Sequence, residues 1–174
     1  GRKTTLSSDT ARYQPALFGN FQGKLSDRDG EREKNDCNHL SYIIMLSLNL
    51  PVFDAKVVNR EGKPVIFDVI RRRYVALTPE EWVRQHFVHF LLNHKGYPQA
   101  LMANEVQVQL NGTKKRCDTV LYRRDLTARM IVEYKAPDIE ITQAVFNQIT
   151  RYNMVLKVDY LVVSNGLQHY CCRM

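Results

Sequence analysis

The run from Lys114 to Lys135, KKRCDTVLYRRDLTARMIVEYK, leaves the chain few ways to fold around it. Thr119-Val120-Leu121-Tyr122 and Met130-Ile131-Val132 are β-branched, aromatic or apolar, and Arg123-Arg124-Asp125 between them is polar, which predicts two strands joined by a tight turn. Side chains alternate across a strand, so Glu133 and Lys135 share one face. An antiparallel partner would bring the Asp118 carboxylate beside Glu133, giving two hard oxygen ligands and an ammonium in one cluster. Such a cluster suits a Mg²⁺ ion that keeps several waters and a substrate phosphate, with the lysine orienting the attacking water. The triplet alone equally describes a solvated surface pair.

The flanking segments extend this unit in both directions. Glu105 to Leu110 alternates as a half-buried strand, and Asn111-Gly112 is a two-residue hairpin signal leading into the Asp118 strand. Further upstream, Thr78-Pro79-Glu80-Glu81 predicts a helix start, with Thr78 as N-cap, Pro79 in the first turn and Glu81 reaching back to close a capping box. That helix is expected to reach about His94, with Val83, Phe87, Phe90 and Leu91 inward, and to stop at Gly96-Tyr97-Pro98. Glu80 lies toward the same side, either as an ordinary first-turn acid or within reach of a metal. His86, His89 and His94 have no zinc-ligand spacing.

After Lys135, Ala136-Pro137 ends the strand and Thr142 can cap a second helix to about Leu156, with apolar positions at 141, 145, 149, 152 and 156. Gln148 and Tyr152, four apart, are expected on its inward face, where a buried amide needs partners and serves either the core or a site. Residues 159–163 then read as a buried strand, Ser164-Asn165-Gly166 as a turn and Leu167 to Cys172 as a last strand. Between Ala55 and Leu77, the segments AKVVN, VIFDVI and YVAL predict a small β-meander. Its Arg71-Arg72-Arg73 is either solvated or directed at a phosphate backbone.

With 44% apolar and 25% charged residues, the chain can bury one sizeable core. Residues 1–44 lack periodicity and read as an extension, with Met45 as the expected native start of a domain spanning 45–174. The chain stops without a polar tail, as a domain of something longer would. No apolar run approaches the length of a membrane span, and a cytoplasmic location is expected. Cys37, Cys117, Cys171 and Cys172 have no CxxC spacing and read as reduced thiols, the last two facing opposite sides of a strand. The net charge of +7 lies mostly after Met45, where 18 Lys and Arg stand against 12 Asp and Glu. Clusters such as Lys114-Lys115-Arg116 and Arg123-Arg124 point to a phosphate-bearing partner, although such a charge also serves solubility.

The order helix, strand, strand with Asp118, strand with Glu133-Tyr134-Lys135, helix with Gln148-x-x-x-Tyr152, strand resembles the PD-(D/E)xK nuclease superfamily. From Pro64 to Tyr170, segments such as YVALTPEEWVRQHF, LNGTKKRCDTVLY, IVEYKAP, QITRYN and YLVVSNGLQHYCC are similar to the N-terminal nuclease domain of the restriction (R) subunit of type I restriction-modification enzymes. The resemblance implies an α/β fold with a restriction-endonuclease-like core, a mixed sheet flanked by helices. It also implies a DNA endonuclease activity using Mg²⁺, or Mn²⁺ in its place. Asp118 and Glu133 would hold the metal, with the main-chain carbonyl of Tyr134 as a further oxygen. Lys135 would position the attacking water, Gln148 would orient Lys135 or a water, and Tyr152 with Lys114, Lys115 and Arg116 would contact DNA. The Pro of the motif's name is replaced by Cys117, a departure frequent in the superfamily.

Expected partners are double-stranded DNA and the motor, specificity and methylation components of a type I complex. No GxxxxGK[ST] loop occurs, so no ATP site is expected in this chain. Two alternatives stay open: a catalytically silent DNA-binding or assembly module of the same fold, and a stand-alone repair or Holliday-junction nuclease.

Overall fold

A computed structural model describes residues 46–110 and 112–174. The expected extension 1–44, its boundary at Met45, Cys37 and the hairpin residue Asn111 lie outside the described residues. The meander forms as expected: β1 (Val57–Arg60), β2 (Lys63–Asp68) and β3 (Arg73–Ala76) make an antiparallel three-stranded sheet. A second sheet has five strands in the order β4 (Met102–Leu110), β5 (Thr113–Tyr122), β6 (Ala128–Tyr134), β7 (Tyr160–Ser164) and β8 (His169–Arg173). Its neighbours pair antiparallel except β6 and β7, which run parallel. A parallel pair needs a crossover, and helix α2 (Gln143–Leu156) supplies it. Helix α1 (Pro79–Asn93) joins the two sheets in sequence and in space.

Two cores lie on the two faces of the large sheet. On one, Val83, Phe87 and Leu91 of α1 pack on Leu121, Met130, Val132 and Tyr134. On the other, Ile149 and Tyr152 of α2 pack on Val120, Ile131, Leu161 and Val163. The odd and even residues of β6 and β7 thus divide between the two layers, as strand alternation requires. Cys171 and Cys172 divide in the same way, one toward each core.

Helix α1 does not have the single apolar face that its spacing predicts. All residues from Glu81 to Val88 are buried, because Trp82 on its far side packs on Ile66 of the small sheet and on Leu77 just after it. Burial on both sides encloses Glu81, Arg84, Gln85 and His86, and enclosed polar groups must find partners. Thr78 caps the helix as expected, accepting from the Glu81 N–H at 3.0 Å. The Glu81 carboxylate does not reach back, however. It accepts from Arg71 at 2.8 Å and from Arg84 and Gln85, each at 2.7 Å.

Arg71 is neither solvated nor free for phosphate. It is half-buried and bridges Glu81 to Asp68, the acid at the end of β2. Gly166, at φ +83°, fills the β7–β8 turn where a Cβ would meet Leu48 at 2.7 Å. Among the described residues no helix is long and apolar enough to cross a membrane.

Candidate functional site

The β5–β6 ladder runs as far as Thr119 opposite Val132. Beyond that pair the strands part, and the Asp118 side chain enters the opening: its Oδ2 accepts from the Tyr134 main-chain N–H at 2.8 Å. The carboxylate thus satisfies a backbone donor that the ladder leaves. One step along β6, Glu133 is buried, and its Oε1 accepts from Lys135 Nζ at 3.0 Å. Its Oε2 is enclosed and meets no donor among the described residues. Asp118, Glu133 and Lys135 are therefore brought together, as the hairpin reading predicts.

Their electrostatics follow from this crowding. Burial, and then the charge of Asp118, push the Glu133 carboxyl up to about 7 against the pull of Lys135. Burial alone would lower the Lys135 ammonium, but Glu133 beside it more than offsets that and leaves it above its ordinary value. Glu80 belongs to the same neighbourhood: burial and the Asp118 charge raise it, while Arg84 opposes them. Even so, among the described residues no three His, Cys, Asp or Glu side chains stand together as a ligand set. Arg84 stands among these acids, its guanidinium 2.8 Å from Asp118 Oδ1 and 3.8 Å from Glu80 Oε1.

Arg84 is the site neighbour that the sequence reading misses. It is 4% exposed and also binds Glu81 at 2.7 Å and Glu105 at 2.8 Å. Glu105 takes a left-handed backbone, φ +61°, at the position between the pairs Asn104–Thr119 and Val106–Cys117, across from Asp118. A non-glycine residue held there is strained by about 1–3 kcal/mol and persists only where its surroundings enforce it. The break in the β4–β5 ladder and the opening of β5–β6 thus meet at Asp118. A polar chain underlies them: Tyr134 Oη donates to Thr119, Thr119 to Asn104 and Asn104 to Asp68.

The remaining expected residues divide. Tyr152 is buried beneath the cluster. Burial raises its hydroxyl, a hydrogen bond from Gln148 opposes this, and the charges of Glu133 and Asp118 reach it. Gln148 itself is exposed, not inward. At four residues from Tyr152 it sits on the edge of the buried stripe, where the helix already faces an open groove.

That groove, of about 450 Å³, lies between β5 and α2 and is lined by Lys115, Ala144, Asn147, Gln148, Arg151 and Tyr152. Among the described residues no carboxylate lines it. Gln143 donates to the side-chain oxygen Oδ1 of Asn147 at 3.2 Å, which leaves the Asn147 side-chain N–H groups for the opening. Arg116, by contrast, is engaged by Glu105. Lys114 is exposed but does not line the groove.

A family model described as type I restriction enzyme R protein N terminus (HSDR_N) matches residues 79–174. The match begins at α1 and takes in the whole large sheet and every residue of the cluster. It leaves out the meander, which the resemblance by sequence enters from Pro64. No curated protein matches the chain.

Proposed function

The chain belongs to the family of type I restriction enzyme R protein N termini, and on that premise we propose that it is a Mg²⁺-dependent endonuclease module hydrolysing DNA phosphodiester bonds. In this reading the core is of the PD-(D/E)xK kind. The observation that carries the proposal is Glu133. A buried carboxylate whose Oε2 has no donor among the described residues, beside a second carboxylate and an ammonium, is a costly arrangement for a merely structural position.

A divalent cation fits these groups, since hard carboxylate oxygens are what it takes, and Asp118 and Glu133 would hold it, with Mn²⁺ as a substitute. When bound, it supplies polarisation of the phosphoryl oxygen and a lowered pKa for water. Lys135, kept charged by Glu133, offsets the charge that grows at phosphorus and holds the attacking water in line. Gln148 and Tyr152 act at the groove edge, where a DNA strand reaches the cluster across the donors of Lys115, Asn147 and Arg151. These groups contact phosphate and give affinity without base information. Target choice therefore belongs to the specificity component of a type I complex, with the motor and methylation components as further partners.

The test is cleavage of plasmid DNA by the full chain with Mg²⁺ or Mn²⁺. Lys135→Ala should lower the rate by roughly 10²–10³-fold, the effect of removing one transition-state contact, and leave DNA binding nearly intact. Cleavage by Lys135→Ala at the parental rate would overturn the role given to Lys135. A parent that neither cuts nor binds a divalent ion would leave only the silent module.

A further inference from the structure

The Asp118 carboxylate is held at both oxygens, and both holds trace back to one pair of residues. Oδ2 receives the Tyr134 N–H at 2.8 Å and Oδ1 receives Arg84 Nη2 at 2.8 Å. The Arg84 guanidinium also lies over the Tyr134 ring, 5.6 Å from its centroid. Its other terminal nitrogen, Nη1, is bound by Glu81 and Glu105. A planar fork fixed at three carboxylates and backed by a buried ring has almost no freedom to turn. The carboxylate it holds therefore has one orientation, with the rest of its lone pairs directed away from the fork.

We propose that Arg84 is a positioning residue that sets the Asp118 carboxylate for a divalent cation, with Glu105 as its anchor across β5. The proposal rests on the reading of Asp118 as a metal ligand and adds the element that orients it. A simple counter-ion role would need only a positive charge near Asp118. It would not need the guanidinium fork, nor a partner strand bent through φ +61° to bring Glu105 against it. Groups that orient a ligand from behind affect metal affinity by about 10- to 100-fold when altered.

Calorimetric titration of Mn²⁺ into the full chain tests this with no recourse to cleavage. Arg84→Lys keeps the charge and removes the fork, so electrostatic repulsion at the metal is unchanged and only geometry is lost. The expected result is an Mn²⁺ Kd raised by about 10- to 100-fold, with metal-free DNA binding at the parental level. Asp118→Asn should show no isotherm. A folded Arg84→Lys that binds Mn²⁺ as the parent does would overturn the positioning role while leaving the metal site in place. A parent without any isotherm would sink the metal reading itself, and the proposal with it.

Should circular dichroism show Arg84→Lys unfolded, Glu105→Asp is read instead, since it keeps the charge and draws the carboxylate back from Arg84 by one methylene. An Mn²⁺ Kd raised above the parent's supports the anchor, and a parental Kd overturns it.

Discussion

Helices α1 and α2 pack on opposite faces of the same sheet and both bring polar side chains toward it, but they treat them differently. Helix α1 has a second sheet on its back, so Glu81, Arg84, Gln85 and His86 are all buried. Among the described residues helix α2 is covered on one side and buries Ile149 and Tyr152, leaving Asn147, Gln148 and Arg151 along the groove. A charge in α1 is a structural part that must be matched by opposite charge, because desolvation without a partner is costly. A charge in α2 remains solvated and is open to an incoming partner. Basic residues of similar appearance in the sequence thus belong to different classes, and what separates them is whether a layer lies behind the helix.

The widest gap between the helices should appear on removing one arginine from each. Arg84→Ala strips the shared cation from Glu81, Glu105 and Asp118, and breaking a buried network of this kind costs about 3–5 kcal/mol. Chemical denaturation of the metal-free protein should show that loss, or no cooperative unfolding at all. A cost below about 1 kcal/mol, typical of an exposed pair, would put Arg84 in the same class as the α2 residues.

A smaller effect of opposite sign is expected between the helices, at Glu133. Its carboxyl is raised to about 7 by burial and by Asp118, while in the unfolded chain it titrates near its ordinary value of 4.5. Between these values the folded state holds a proton that the unfolded state has released. Stability contributed by the protonated form is complete below the lower value and lost as pH rises through the upper one. Glu133→Gln cannot titrate. In EDTA it should match the parent near pH 4 and exceed it at pH 8 by about 1–3 kcal/mol, while losing Mn²⁺ binding. Equal stability at both pH values would mean that Glu133 is solvated like the groove residues.

Much of this arrangement is legible in local sequence, and the unread part has a common cause. Asn111-Gly112, Thr78-Pro79 and the alternation through Met130-Ile131-Val132 are short-range signals, and the elements they predict form close to the expected limits. The meeting of Asp118 with Glu133 follows from strand alternation and antiparallel pairing. The Arg84 network does not follow from either, because Arg84 meets Glu105 and Asp118 across 21 and 34 positions through a change of element. Nor does any periodicity in α1 announce the second sheet, and with one sheet in view Arg71 looks solvated and Glu81 looks like half of a capping box. Buried Gln85 and Arg84 beside Trp82 were the available clue: a helix with apolar residues on both sides of its polar ones has two surfaces to cover. Gln148 errs the other way, since one helical step from the buried stripe decides whether an amide is enclosed or open.

The smallest effect on stability, and the one that most sharpens the contrast, belongs to Arg151. It is exposed, forms no ion pair with a described residue, and lines the groove together with Lys115 and Asn147. Arg151→Ala should change unfolding free energy by no more than about 0.5 kcal/mol, as for a surface position without such features. Its consequence should appear in binding instead. If the guanidinium meets one phosphate, fluorescence anisotropy with a short duplex in EDTA should show weaker binding for every sequence tested. The slope of log K against log salt should also fall in magnitude by about 1. Lys63→Ala, an exposed cation on the other sheet, should leave both affinity and slope unchanged. Equal slopes for parent and Arg151→Ala would show that DNA does not run along α2, and the open side of that helix would then be open for some other reason.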